Sequence, residues 1–223
     1  MILINPKSNN SSPNRAIEPP IWCAMLAQKG DGIVDLEVMD ISEYVRWGKV
    51  LIVAMGSNPS ASSTPKMGEV AKLKLQFPKA KITGLHPMAT GEATYQIPTP
   101  QELCEIKPRW NLIDFSKYRA HNWHCMDGRD RSNYGVVYSS FGCPFNCYYC
   151  NISSLYSGIT YRNPQDVVDE IGDLYETHHV RNLKVCDELF VLNPSHVNKV
   201  CDLLIERNYD LNIWAYARAD TVT

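Results

Sequence analysis

The sequence has no excess of charge of either sign, no apolar stretch long enough to span a membrane, and no basic, apolar leader. Its 22 lysines and arginines are matched by 24 aspartates and glutamates, a net charge of -2. That balance leaves no electrostatic footprint for nucleic acid or an anionic membrane. The unbroken apolar run 50–55 falls far short of the roughly 18 residues a spanning helix needs. Met1-Ile-Leu-Ile-Asn-Pro6 lacks the n-region and h-region of a signal peptide, so the expected location is the cytoplasm. Internal repeats and low-complexity tracts are absent too. What is present is an ordinary globular composition, 223 residues with 44% hydrophobic and 21% charged, enough to bury about 70% of the unfolded surface without disulfides. The 8 cysteines therefore point to metal binding or catalysis, since disulfide scaffolds belong to short secreted chains.

Short apolar runs alternate with helical patterns, which predicts an α/β protein with largely parallel sheets. In the N-terminal part, 1–5, 36–39, 50–55 and 81–85 read as strands. Pro19-Pro20 opens a helix that stops at Gly30, and 70–77 reads as a weaker helix. From about 98 to 132 periodicity fades, but Trp110, Trp123 and the neighbouring aromatics argue for a packed connection, not a flexible linker. Alternation then resumes: a strand at 135–139, a helix capped by Asn163-Pro164 with Val167, Val168, Ile171, Leu174 and Tyr175 on its apolar face, and a strand at 183–186. A second helix carries the stripe Val197, Val200, Cys201, Leu204 and Ile205, with Ser195 as its expected N-cap, and 213–217 supplies a third strand. Three strands and two helices leave an open edge, as in the first half of a barrel. The expected domains are 1–105, a connecting segment 106–132, and 133–223.

Five cysteines are scattered, whereas Cys143-Pro-Phe-Asn-Cys147-Tyr-Tyr-Cys150 is C-x3-C-x2-C in a loop directly after a strand. Three thiolates on a tight loop can each ligate one iron of a cubane cluster and leave a fourth iron open. Zinc is the rival metal, but a structural zinc site wants four ligands, and Cys186 is the candidate for the fourth.

At these residues the chain resembles the radical S-adenosylmethionine superfamily. Gly142 before the first cysteine, the aromatic Tyr149 before the last and the preceding strand match as well. The resemblance implies that Cys143, Cys147 and Cys150 hold a [4Fe-4S] cluster, whose open iron binds S-adenosylmethionine and whose electron cleaves it to a 5'-deoxyadenosyl radical. It extends to 161–171, to Cys186-Asp-Glu-Leu-Phe190 and to Trp214-Ala-Tyr-Ala-Arg-Ala-Asp220, as in the subfamily with an N-terminal cobalamin-binding domain. Asp187 and Glu188 fall where the family accepts hydrogen bonds from the methionyl amine; the alternative is a helix-capping or solvated loop pair. Arg218 stands where a guanidinium pairs with the methionyl carboxylate, or else forms a surface salt bridge. With Tyr149, these are the implied cofactor-binding residues.

The fold implied is a Rossmann-like, cobalamin-binding-type parallel sheet in 1–105, followed by the first half of a partial (β/α)6 TIM-type barrel in 133–223. The D-x-H-x-x-G motif that supplies an axial histidine to cobalt is missing, and His86 is either a corrin-lining or a surface residue. The connecting His121, Trp123, His124 and Cys125 either face the active site or pack the linker, and His178-His179 sits favourably at a helix end. The resemblance implies an enzyme acting on a small-molecule or peptide substrate, by cobalamin-dependent methyl transfer or another radical reaction. It further implies an electron donor such as flavodoxin or ferredoxin, and later barrel strands, in a longer chain or a second one. A radical enzyme without cobalamin and a non-catalytic iron-sulfur or zinc module are the competing readings.

Overall fold

The computed structural model describes residues 1–8, 12–41, 48–55, 67–83, 94–148, 150, 152, 156 and 158–222. They fall into two compact units: Met1–Arg15, Pro20–Pro98 and Pro108–Ile113 in the first, and Ala16–Pro19, Thr99–Lys107 and Asp114–Thr223 in the second.

The first unit is built on a parallel sheet of β1 (Ile2–Asn5), β2 (Gly32–Asp35), β3 (Val50–Ile52) and β4 (Lys81–Ile82), in the order β2-β1-β3-β4. Ile4, Val34, Ile52 and Ile82 form its core with Val70 and Leu73, each such burial contributing about 1.5–3 kcal/mol. Helix α1 (Ile21–Leu26) follows Pro19-Pro20 as expected and is buried along its whole length. Helix α2 (Met67–Gln76) supplies Val70 and Leu73. The second strand lies at β2, and the expected strand 36–39 is instead a turn. Asp35 is the cause: its carboxylate accepts from Asn5 Nδ2 at 2.9 Å and Glu37 N at 3.0 Å, and its carbonyl from the amides of Val38 and Met39. Residues 84 and 85 of the last expected strand lie outside the described residues.

The second unit carries a parallel sheet of β5 (Tyr134–Val137), β8 (Asn182–Val185) and β9 (Asn212–Trp214), in the order β5-β8-β9. An antiparallel pair, β6 (Ser140–Cys143) with β7 (Gly158–Tyr161), stands beside it. The stretch expected to be irregular contains helix α3 (Pro100–Glu105), closed by a capping box in which Thr99 and Glu102 satisfy each other's backbone amides. Helix α4 (Pro164–Glu176) is capped by Asn163 and buries Val167, Val168, Ile171 and Leu174. Helix α5 (Pro194–Arg207) starts earlier than expected, because Asn193, not Ser195, caps it by accepting from His196 N at 3.3 Å. Of its expected stripe Val200 is buried, while Cys201 and Ile205 are exposed. Both parallel sheets agree with the α/β class read from the sequence.

Candidate functional site

The cysteine loop begins where β6 ends. Gly142 has φ +94°, and a Cβ there would meet the Gly158 carbonyl oxygen at 2.3 Å, so only glycine lets the β6–β7 pair close immediately before Cys143. Cys143, Cys147 and Cys150 are half-buried free thiols. The backbone turns tightly between the last two, with Cys150 N donating to Cys147 O at 3.0 Å. Burial first, then the Glu188 carboxylate and the other two thiols, push the Cys143 thiol up, against a lowering backbone hydrogen bond from Phe145. Among the described residues no three His, Cys, Asp or Glu side chains converge on a single metal ion. A tetrahedral zinc at about 2.3 Å from each sulfur needs them roughly 3.8 Å apart, whereas the irons of a cubane cluster let them stand wider. Tyr149 lies outside the described residues.

Asp187 and Glu188 follow β8 but do different things. Asp187 is 1% exposed. One carboxylate oxygen accepts from Ser139 N at 2.6 Å, and the other from Ser139 Oγ at 2.5 Å and Ser140 Oγ at 2.7 Å. His196 Nε2 lies 3.3 Å from Ser139 Oγ. Asp187 is thus neither a solvated nor a capping residue: it ties the ends of β5 and β8 together. Burial still pushes its carboxyl up, against the lowering effect of these hydrogen bonds. Glu188, the less buried of the two, is the acid whose charge bears on Cys143. Burial and then the Asp187 charge push its carboxyl up to about 7, with Lys184 opposing.

Arg218 also reaches the loop, in a different pose from a carboxylate clamp. Its Nε and Nη2 form a fork on Asp220, at 2.9 and 2.7 Å. Nη1 donates to Cys147 Sγ at 3.5 Å, and the guanidinium lies 4.1 Å from the Phe145 ring centroid.

Sequence reasoning missed a second polar group on the face that β5, β8 and β9 share. Lys184, 4% exposed, donates to Glu18 Oε1 at 2.7 Å and lies 5.3 Å from the Tyr216 ring centroid. Burial alone would pull its ammonium down, but the Glu18 charge and hydrogen bond, with Cys186 and Tyr216 beside them, together more than offset this. A lysine alternating with apolar residues inside Asn182-Leu-Lys-Val-Cys186 was the available signal. His124 stacks on Trp214 at 4.1 Å and Asn212 Nδ2 donates to the His124 carbonyl at 2.5 Å, so this part of the connecting segment packs on β9. Cys125 is buried there too, 3.3 Å from Asn182 Oδ1. His121 and Trp123 lie in the same turn, their ring centroids 6.3 Å apart, Trp123 being exposed. Cys186 is buried, its thiol pushed up to about 12 chiefly by burial, which does not suit a fourth zinc ligand. His86 lies outside the described residues, and His178 packs against Phe115 at 4.9 Å.

The second unit thus sets a cysteine-bearing loop on a parallel α/β framework. No family model matches the chain. An uncharacterized methyltransferase of Pyrococcus horikoshii is 29% identical over 145 residues, covering 63% of this chain and 29% of that protein. Anaerobic magnesium-protoporphyrin IX monomethyl ester cyclase of Rubrivivax gelatinosus is 30% identical over 118 residues, 52% of this chain and 20% of the cyclase. Among solved structures, the radical S-adenosylmethionine methyltransferase TsrM of Kitasatospora setae, with tryptophan and a cofactor analogue bound, superposes with TM-score 0.64 at 16% identity, covering 97% of this chain and 54% of TsrM. TsrM with cobalamin and a [4Fe-4S] cluster gives 0.61 at 15% identity, covering 97% of this chain and 55% of TsrM. The chain thus spans under a third of its curated relatives and about half of TsrM. It shares the fold of TsrM, and the curated relatives it matches are enzymes. Among the described residues no helix is long and apolar enough to cross a membrane.

Proposed function

We propose that this chain is the cluster-bearing part of a radical S-adenosylmethionine enzyme of the cobalamin-associated type, with methyl transfer to a small molecule as its reaction class. One observation carries the reading: three free, half-buried cysteines sit on a loop clamped by Gly142, right after β6. The residues fit the group. Cys143, Cys147 and Cys150 would hold a [4Fe-4S] cluster, because three thiolates suffice for a cubane with one open iron whereas a structural zinc site wants a fourth ligand. When bound, the cluster supplies one electron for the reductive cleavage of S-adenosylmethionine.

The chain's own residues bind and orient. Glu188 is the acceptor for the methionyl ammonium, because Asp187 is already engaged by Ser139 and Ser140. Asp187 holds the strand end from which β6 leads into the cysteine loop. The electron comes from outside, from a donor of the flavodoxin or ferredoxin class. In this reading β5-β8-β9 is the first half of a (β/α)6 barrel, completed by strands of a longer chain or a second one. Cobalamin would take the N-terminal sheet, whose order β2-β1-β3-β4 reverses between β1 and β3, the crevice where open α/β sheets bind ligands. The buried Thr83 Oγ1 at the end of β4, which has no hydrogen-bond partner among the described residues, suits a polar ligand at that end of the sheet.

The test is anaerobic reconstitution with iron and sulfide, followed by electron paramagnetic resonance of the reduced protein with and without S-adenosylmethionine. About four irons per chain and a spectrum that changes on adding the cofactor are expected. Zinc in place of iron, or no cluster, would overturn the reading. Retention of hydroxocobalamin through gel filtration tests the cobalamin part separately.

A further inference from the structure

Arg218 touches the cysteine loop without offering a free fork to a ligand. Its Nε and Nη2 edge is committed to Asp220 at 2.9 and 2.7 Å, its face lies 4.1 Å from the Phe145 ring centroid, and Nη1 donates to Cys147 Sγ at 3.5 Å. Phe145 belongs to the same loop, between Cys143 and Cys147. Behind the side chain the backbone is held as well: the Arg218 carbonyl accepts from Thr221 N at 3.0 Å and from Thr221 Oγ1 at 2.8 Å. The cation is thus fixed on three sides and aimed at one sulfur.

We propose that Arg218 tunes the reduction potential of the iron-sulfur group through Cys147, with Asp220 as the counter-charge that limits the effect. The inference rests on the cluster reading above and deepens it. Hydrogen bonds to the cysteine sulfurs and net charge are among the levers that set a cluster's potential. Reduction adds one electron, and so one negative charge, to the group. A guanidinium donating to a ligating sulfur stabilises that added charge and raises the potential. Asp220 cancels part of the positive charge, so its removal raises the potential further. Arg218 is a positioning and tuning residue here, acting on the cluster only through the sulfur.

The experiment is an anaerobic redox titration of the reconstituted 223-residue chain, with dithionite as the electron source and no S-adenosylmethionine present. The reduced fraction is followed by electron paramagnetic resonance. At a fixed potential, Arg218→Gln is expected to lower the ratio of reduced to oxidised cluster about tenfold, equal to about 59 mV for one electron. Arg218→Lys falls between Arg218→Gln and wild type, and Asp220→Asn shifts the ratio the opposite way, all with unchanged iron per chain. Wild-type potentials in both Arg218→Gln and Asp220→Asn would overturn the inference while leaving the cluster reading intact. If Arg218→Gln loses its iron, Asp220→Asn decides: a raised potential supports the proposal and an unchanged one overturns it. A wild-type chain that takes up no cluster overturns both readings.

Discussion

In the first unit the sheet β2-β1-β3-β4 is lined by Ile4, Val34, Ile52 and Ile82, and among the described residues of that unit the buried polar ones are Ser8, Asp35 and Thr83. In the second unit Ser139, Ser140, Arg162, Asn182, Lys184, Asp187 and His196 are all buried. Arg162 and Glu170 form an ion pair at 2.7 Å with both side chains under 10% exposed. Such groups are costly to bury and stay only where geometry satisfies them. The first sheet is therefore held chiefly by hydrophobic burial, whereas the second is organised by charge pairs and hydrogen bonds around the ends of its strands. Site chemistry is more readily built on the second kind of framework, because buried polar side chains have one arrangement that satisfies them all.

The sharpest way to test that contrast separates chemistry from folding. Cys147→Ala is expected to abolish most iron uptake while shifting the urea midpoint little, since the thiol is half-buried and contributes little packing; unchanged iron content would break the site assignment. Next, Glu170→Ala leaves the buried Arg162 charge unpaired, and a loss of about 3–5 kcal/mol is expected for the second unit by urea unfolding. The double change Glu170→Leu with Arg162→Met should recover much of it, because no charge then stays buried. Asp187→Ala strips the acceptor from Ser139 and Ser140 and should cost about 1–3 kcal/mol, against roughly 1 kcal/mol for Asn5→Ala, which removes a single hydrogen bond to Asp35 in the first unit. Equal losses at the two sites would erase the contrast.

A separate effect is a pH dependence. Burial, first, and then the positive charges nearby lower His124 from 6.5 to about 4. Below pH 6.5 the unfolded chain takes up this proton and the folded one does not, so the stability due to a neutral His124 is lost as pH falls from 6.5 toward 4. His124→Gln should flatten thermal stability across that window. Fluorescence of Trp214, which stacks on His124 at 4.1 Å, reports whether the packing survives.

Several elements were legible because their signals are local. Asn163-Pro164 and the spacing of Val167, Ile171 and Leu174 announced α4, and Pro19-Pro20 announced α1. Helix α3 was equally legible, in Thr99-Pro-Gln-Glu102, a capping box with proline at its first position; the surrounding aromatics and prolines masked it. The turn at 36–39 was not legible, because the alternation Leu36, Val38 suits a strand and only the reach of Asp35 to Asn5 ends the pairing earlier. The β6–β7 pair was hidden for a related reason: its partners stand on either side of the cysteine loop, and register across such a gap leaves no periodic trace. The roles of Asp187 and Arg218 depended on neighbours distant in sequence, Ser139 for one and Cys147 for the other.

Residue type and spacing within a short stretch determined the α/β class, the three-cysteine loop and the glycine that lets it close, because helix caps, hydrophobic period and C-x3-C-x2-C all act over a few residues. Tertiary structure alone decided which of two adjacent acids is buried under Ser139, that Glu18 pairs with Lys184, and that the Arg218 fork is filled by Asp220 while Nη1 meets Cys147. The physical reason is that a charge or a hydrogen bond is worth little until burial removes competing water, and burial belongs to the folded chain rather than to any segment of it.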